Sequence, residues 1–183
     1  LAIKSFLTVD YTTRIAGENV LVIITPHDAQ GNLLYSCRNI SVKLNGSLNN
    51  LTTIGGVTQL RPIIVNNVGD GTYTAIVRVT TVGVNTISAT FNETSQNFIQ
   101  TRLITVSPAP ASYLSITGAS AQPSGTTQVI LLTAYDMFDN VASGYAGDKS
   151  LTFSGANVSS SPSTSPTVAG TAFGTMTNLT FTS

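Results

Sequence analysis

The chain has 183 residues, 42% of them hydrophobic and only 9% charged, where typical globular domains carry about 25% charge. Eight basic and eight acidic side chains cancel to a formal charge of zero. That excludes the cationic surplus of a nucleic-acid binder and the polybasic signal for anionic membranes.

Serine and threonine make up 48 of the residues, and Val, Ile, Leu, Phe and Tyr are spread along the whole length. Thr, Val, Ile and Tyr favour strands, while the good helix formers Glu, Lys, Met and Arg are scarce, so the expected class is all-β. From the N-terminus, seven strands are predicted between turn signals, at residues 3–11, 19–25, 39–44, 58–65, 72–80, 85–91 and 98–106. Alternation is clearest in Tyr73-Thr-Ala-Ile-Val-Arg-Val and Thr86-Ile-Ser-Ala-Thr-Phe, each with one apolar face and one carrying Thr, Ser or Arg. Seven short strands at this spacing predict a two-sheet immunoglobulin-like sandwich over residues 1–107. NGSLNNLTTIGG, between the third and fourth strands, reads as a loop. In Gly69-Asp70-Gly71, the glycines can take positive φ and Asp70 can bond the turn backbone. Tyr73 follows on the core face, completing a structural turn.

SPAPAS follows, and its prolines at 108 and 110 mark a semi-rigid connector over residues 108–112. Beyond it the chain repeats itself. At an offset of 108, Thr25 falls on Thr133, Asp28 on Asp136, Asn32 on Asn140 and Gly17 on Gly125. SVKLNG ending at Gly46 matches SLTFSG ending at Gly155 with one residue inserted. Residues 113–183 therefore read as a second immunoglobulin-like sandwich that contains only the first four strands. A sandwich lacking three strands exposes half its core, so the expectation is an excerpt of a longer protein. LAIKSFLTVD also lacks the basic start and long apolar stretch of a signal peptide. No apolar run exceeds the five residues of 20–24, so no membrane insertion is expected in this segment.

Val68-Gly-Asp-Gly-Thr-Tyr-Thr, Val82-Gly-Val-Asn-Thr-Ile-Ser-Ala-Thr-Phe-Asn and Asp28-Ala-Gln-Gly-Asn-Leu together resemble the filamin-type immunoglobulin-like repeat. They match its NxGDGTY, VGxYTIxVxxN and DxxGN patterns, departing at Asn85, where the family usually places an aromatic residue. TAYDMFDNVASGYAGDKSLTFSG is similar to the tandem repeats of large surface proteins. The resemblance implies a fold and little about function.

Chemistry is sparse. His27, the single histidine, ends a strand next to Asp28, and Tyr135 takes its place in the repeat. It lacks the orienting shell of a general base. The acids Asp10, Glu18, Asp28, Asp70, Glu93, Asp136, Asp139 and Asp148 are scattered, mostly at turns, with no converging pair. No catalytic residue, cofactor or metal is expected. The one alternative is calcium on the oxygens of Asp136, Asp139 and Asn140, set against a plain turn in which Asp and Asn bond the backbone. Cys37, the only cysteine, reads as a small hydrophobe, with an external partner as the alternative. Six Asn-X-Ser/Thr sequons stand at Asn39, Asn45, Asn50, Asn92, Asn157 and Asn178. Asn45, Asn50, Asn92 and Asn157 fall near expected loops or strand ends, where a glycan fits. Asn39 and Asn178 fall at or within strands.

The expected function is a non-catalytic structural repeat of a longer extracellular or cell-surface glycoprotein, a spacer or building block of a wall, layer or filament. Its expected partners are neighbouring repeats of the same chain, with lateral self-assembly or other surface glycoproteins beside them. One alternative is an adhesin-like or carbohydrate-binding module using exposed tyrosines such as Tyr35 and Tyr145. Another, implied by the filamin resemblance, is an intracellular crosslinker repeat, against which the low Lys and Glu content argues.

Overall fold

The computed structural model describes residues 5–28, 30–36, 40–54, 57–93 and 96–182, with backbone alone at 51–54, 57–58, 91–93 and 96–99. Cys37 and Asn39 lie outside the described residues. The chain divides into two compact units, Leu1–Ala109 and Pro110–Ser183.

Unit one contains β1 (Phe6–Val9), β2 (Thr13–Ile15), β3 (Asn19–Thr25), β4 (Ile40–Leu44), β5 (Asn49–Ile54), β6 (Val57–Pro62), β7 (Val65–Asn67), β8 (Tyr73–Arg78), β9 (Gly83–Glu93) and β10 (Gln96–Ser107). Its two four-stranded sheets have the orders β1-β3-β8-β7 and β2-β10-β9-β4. That is the seven-strand immunoglobulin arrangement, with the first strand shared between the sheets and the β5–β6 hairpin added. The fold is all-β and immunoglobulin-like.

The register follows the alternation of the sequence. β3 buries every second residue, Val20, Val22 and Ile24, and β8 buries Tyr73, Ala75 and Val77. Facing them from the second sheet are Val42, Ile87, Ala89, Ile104 and Val106, with Leu7 entering from β1. Each fully buried Leu, Ile or Val contributes roughly 1.5–3 kcal/mol. The sheets are also tied by a bond across the core, from the Leu7 N–H to Gln100 Oε1 at 2.8 Å.

Three predicted strand boundaries are corrected. The strand at 3–11 breaks after Val9, and the chain crosses to the other sheet as β2, which runs parallel to β10. Asp10 makes the corner, its Oδ1 accepting from Tyr11 N at 3.0 Å and Leu21 N at 3.1 Å. The expected loop NGSLNNLTTIGG contains β5, paired in antiparallel fashion with β6 from Asn49↔Pro62 to Ile54↔Val57. The strand at 58–65 divides at Pro62, which has no N–H to continue a ladder. After it, β7 joins the first sheet.

Unit two contains β11 (Tyr113–Thr117), β12 (Leu131–Tyr135), β13 (Gly147–Thr152), β14 (Ser159–Ser160), β15 (Ser163–Thr164), β16 (Thr167–Val168), β17 (Thr171–Ala172) and β18 (Met176–Phe181). These eight short strands replace the four expected. They pair as β11-β12, β13-β18, β14-β15 and β16-β17. The pairing Ile116↔Leu132 occupies the place of Leu7↔Ile24 in unit one, so β11 and β12 repeat β1 and β3.

Candidate functional site

The best-defined polar site in each unit is a turn, and it is the same turn twice. In unit one, the Asp28 carboxylate follows β3 and accepts from Gln30 N at 2.9 Å, Asn32 N at 2.8 Å and Asn32 Nδ2 at 2.9 Å. In unit two, Asp136 accepts from Phe138 N at 2.8 Å, Asn140 N at 3.0 Å and Asn140 Nδ2 at 2.9 Å. The backbone agrees too, with Asp28 N to Asn32 O and Asp136 N to Asn140 O both 2.9 Å. The bridges His27↔Leu33 and Tyr135↔Val141 stand 108 apart in the same way. Gly31, with φ +92°, is replaced by Asp139 with φ +64°. Aspartate tolerates this left-handed conformation better than most side chains.

This geometry accounts for Asp136, Asp139 and Asn140, the residues of the calcium alternative. Asp136 is fully buried, and both its oxygens are taken by amide donors. Asp139 points elsewhere, its Oδ1 accepting from the Tyr113 hydroxyl at 2.8 Å, and this bond raises the Tyr113 pKa. Asn140 serves as a donor to Asp136. Among the described residues, no group of three His, Cys, Asp or Glu is placed to hold a metal. The hydrogen bonds from Asn32 likewise hold the Asp28 carboxyl below its ordinary pKa.

The Gly69-Asp70-Gly71 turn is built as its residue types require. Gly69 and Gly71 have φ of +96° and +91°. Asp70 Oδ1 accepts from Thr72 Oγ1 at 2.6 Å and Thr72 N at 2.9 Å, which lowers the Asp70 pKa. Tyr73 is buried in the core, and its hydroxyl accepts from Asn67 Nδ2 at 3.4 Å beside the turn.

The sequons have unequal surroundings. Asn45 holds φ +48° and bonds through both side-chain atoms: Oδ1 accepts from Thr86 N at 2.8 Å, and Nδ2 donates to Asn85 Oδ1 at 2.7 Å. Asn50 bridges to β8, its Nδ2 donating to Ile76 O at 3.5 Å and its Oδ1 accepting from Arg78 N at 3.2 Å. Asn157 is exposed between ladders, and Asn178 is exposed on β18, its Oδ1 accepting from Ser150 Oγ at 2.6 Å. Asn92 lies in β9, where the backbone alone is described.

His27 is held by a backbone carbonyl and an aromatic ring. Its Nδ1 lies 3.0 Å from Thr25 O, which makes Nδ1 the donor, and its ring meets Phe6 edge-on at 5.5 Å. Tyr35 is well exposed, whereas Tyr145 packs against Phe181 at 5.1 Å with Lys149 Nζ 4.8 Å from its ring centroid.

One feature escaped the sequence reading. Tyr113 and Tyr135 stack with ring centroids 5.4 Å apart, as cross-strand partners on β11 and β12. The repeat aligns Tyr135 with His27, but Phe6, which meets His27, corresponds in register to Ser115, so the stacked pair belongs to unit two alone. Asn85 is buried, its Nδ2 donating to Thr81 O at 2.8 Å and Gly83 O at 3.2 Å.

No protein-family model and no curated protein matches the chain. Among solved structures, it is similar to FdeC, described as a broadly conserved Escherichia coli adhesin, at 21% identity and a TM-score of 0.48, over 84% of this chain and 48% of that one. It is similar also to InvD of Yersinia pseudotuberculosis at 19% identity and a TM-score of 0.48, over 76% of this chain and 44% of that one. The chain thus spans less than half the length of either.

Proposed function

We propose that the chain is a non-catalytic structural repeat of a longer extracellular or cell-surface protein, of filamin-like type in its first unit. In this reading it serves as a spacer or building block of a wall, layer or filament, with neighbouring immunoglobulin-like repeats as its partners. The observation that carries the proposal is the turn after β3, reproduced after β12 bond for bond at an offset of 108 residues. Tandem copies that share such a turn supply length and surface, and their polar groups serve the fold instead of a ligand. The exposed amide of Asn157 is the sequon best placed to carry glycan, followed by Asn178. At Asn45 and Asn50 the amide already holds strands together.

The test uses native material. An antibody to unit one should label intact source cells, and the band it detects should have a mass well above the 19.1 kDa of this chain. Labelling that requires permeabilised cells would leave the intracellular crosslinker as the better reading. Peptide mapping before and after removal of N-glycans reads occupancy at each sequon separately.

A further inference from the structure

The outer face of β11 and β12 carries two aromatic rings and a carboxylate that the shared turn does not need. Side chains alternate along the pair, so Leu114, Ile116, Leu132 and Ala134 take one face and Tyr113 and Tyr135 the other. The two rings are inclined by only 17°, with centroids 5.4 Å apart, and Tyr113 is 45% exposed. Asp139 stands exposed beside them, its Oδ1 accepting from the Tyr113 hydroxyl and its Oδ2 without a partner among the described residues. The bond to Asp139, desolvation and the charges of Asp139 and Asp136 all keep that hydroxyl protonated. In unit one, His27 stands in place of Tyr135 and Gly31 in place of Asp139, yet the turn closes with the same backbone bond. The site also lies clear of the segment that a strand in the place of β8 would cover, since β8 pairs with residues 19–24, equivalent to 127–132.

Tyrosine ring faces beside a carboxylate present negative potential, the complement of a guanidinium. Unit one builds that combination from its own residues: the Arg14 guanidinium lies 4.2 Å from the Tyr11 ring centroid and 2.6 Å from Asp10 Oδ2. Unit two supplies the rings and the carboxylate, but Lys149, the one basic residue of 110–183, lies over the Tyr145 ring instead. Charge divides the same way. Residues 1–109 hold seven Lys and Arg against five Asp and Glu, a balance of +2, while 110–183 hold one against three, a balance of −2. Among the described residues, Arg61 is the exposed guanidinium, its Nη2 meeting Gln59 Oε1 at 3.4 Å and no carboxylate, beside the exposed Leu60. We propose that Tyr113, Tyr135 and Asp139 receive Arg61 of a second copy of this chain, the guanidinium lying over the Tyr113 ring and donating to Asp139 Oδ2. The contact joins unit one of one chain to unit two of another, so it is heterologous and can continue along an assembly. It goes beyond the spacer reading, since it names a contact between chains instead of between successive repeats.

The test follows the isotope-labelled full chain by NMR over a dilution series. Shifts at residues 61, 113, 135 and 139 should move together with concentration, and raising salt from about 0.05 M to about 0.5 M should weaken the association. Arg61→Gln and Asp139→Gly should each weaken it at least about tenfold. Asp139→Gly installs the residue type that unit one uses at this position, so the turn is kept. Complementation decides the assignment. Each variant alone should be silent, but unlabelled Asp139→Gly chain, which keeps Arg61, should restore the shifts at 113 and 135 of labelled Arg61→Gln chain, which keeps the rings and the carboxylate. Shifts independent of concentration, an Arg61→Gln chain that associates as the parent does, or a silent mixture would each overturn the proposal.

Discussion

Gly69 and Gly71 share a turn and nearly the same backbone angle, yet they should respond differently to an added methyl group. Their φ values are +96° and +91°, a region that costs an L-residue about 1–2 kcal/mol. A Cβ on Gly69 would meet no atom within 4 Å, whereas one on Gly71 would lie 2.6 Å from Leu33 Cδ2 and 2.8 Å from Leu33 Cγ. Leu33 is half-buried and held by its bridge to His27, so relieving the overlap displaces packed structure. Overpacking of this kind costs about 1–3 kcal/mol. Gly69→Ala should therefore destabilise unit one by about 1–2 kcal/mol and Gly71→Ala by about 2–5 kcal/mol. Native-state hydrogen exchange at the Val20 and Val77 amides reads unit one within the full chain. Repeating Gly71→Ala in a Leu33→Ala background isolates the steric part, and the loss should shrink by about 1 kcal/mol or more. Equal losses at the two glycines, or no relief from Leu33→Ala, would refute the steric argument and leave the backbone angle alone.

Asp136→Ala should destabilise unit two by about 1–3 kcal/mol, because it strands the amides of Phe138 and Asn140; urea unfolding followed by tyrosine fluorescence checks this. Asn85→Ala should cost unit one about 1–3 kcal/mol, and adding Asn45→Ala should cost less than the two separate losses combined, since the side chains share one bond. Acid should weaken unit one through Asp28 and Asp70. Both carboxyls have folded pKa values below the ordinary 3.8, so their contribution is present above that value and is lost as pH falls through the depressed ones. A melting series below pH 5 should flatten at its acidic end in Asp70→Asn, and an unchanged slope would exclude Asp70 as a source.

Much of unit one was legible because its strands alternate cleanly. The expected strand 19–25 coincides with β3, since Val20, Val22 and Ile24 share one face and the turn chemistry of Asp28 follows. Periodicity says less where a strand changes sheets. Within residues 3–11 nothing in the apolar pattern marks Asp10 as a corner, because its role depends on the remote amide of Leu21. The β5–β6 hairpin was hidden by composition. Asn and Gly crowd the segment and suggest one long loop, but Asn45 and Gly46, with φ of +48° and +83°, make the whole turn between Leu44 and Ser47. An Asn-Gly pair with both φ positive is itself a tight-turn signal, and it leaves Asn49 onward free to extend. In unit two, the repeat located β12 and its turn, while the paired strands from β14 to β17 are two residues long and too short to show a period.

With 16 charged residues in 183, unit one closes its edges largely with neutral side chains. β7 covers β8 only from Tyr73 to Ala75. Beyond that point Asn50 takes over, its amide meeting Ile76 O and Arg78 N as a strand backbone would. The edge is thus finished by a side chain from the inserted hairpin, leaving fewer unpaired groups to recruit another chain. This gives Asn50 a structural role and argues against reading its sequon by placement alone. Unit one covers the second side of β3 with β8 and then trims that strand with Asn50, whereas among the described residues β12 pairs with β11 alone and Leu131 is exposed.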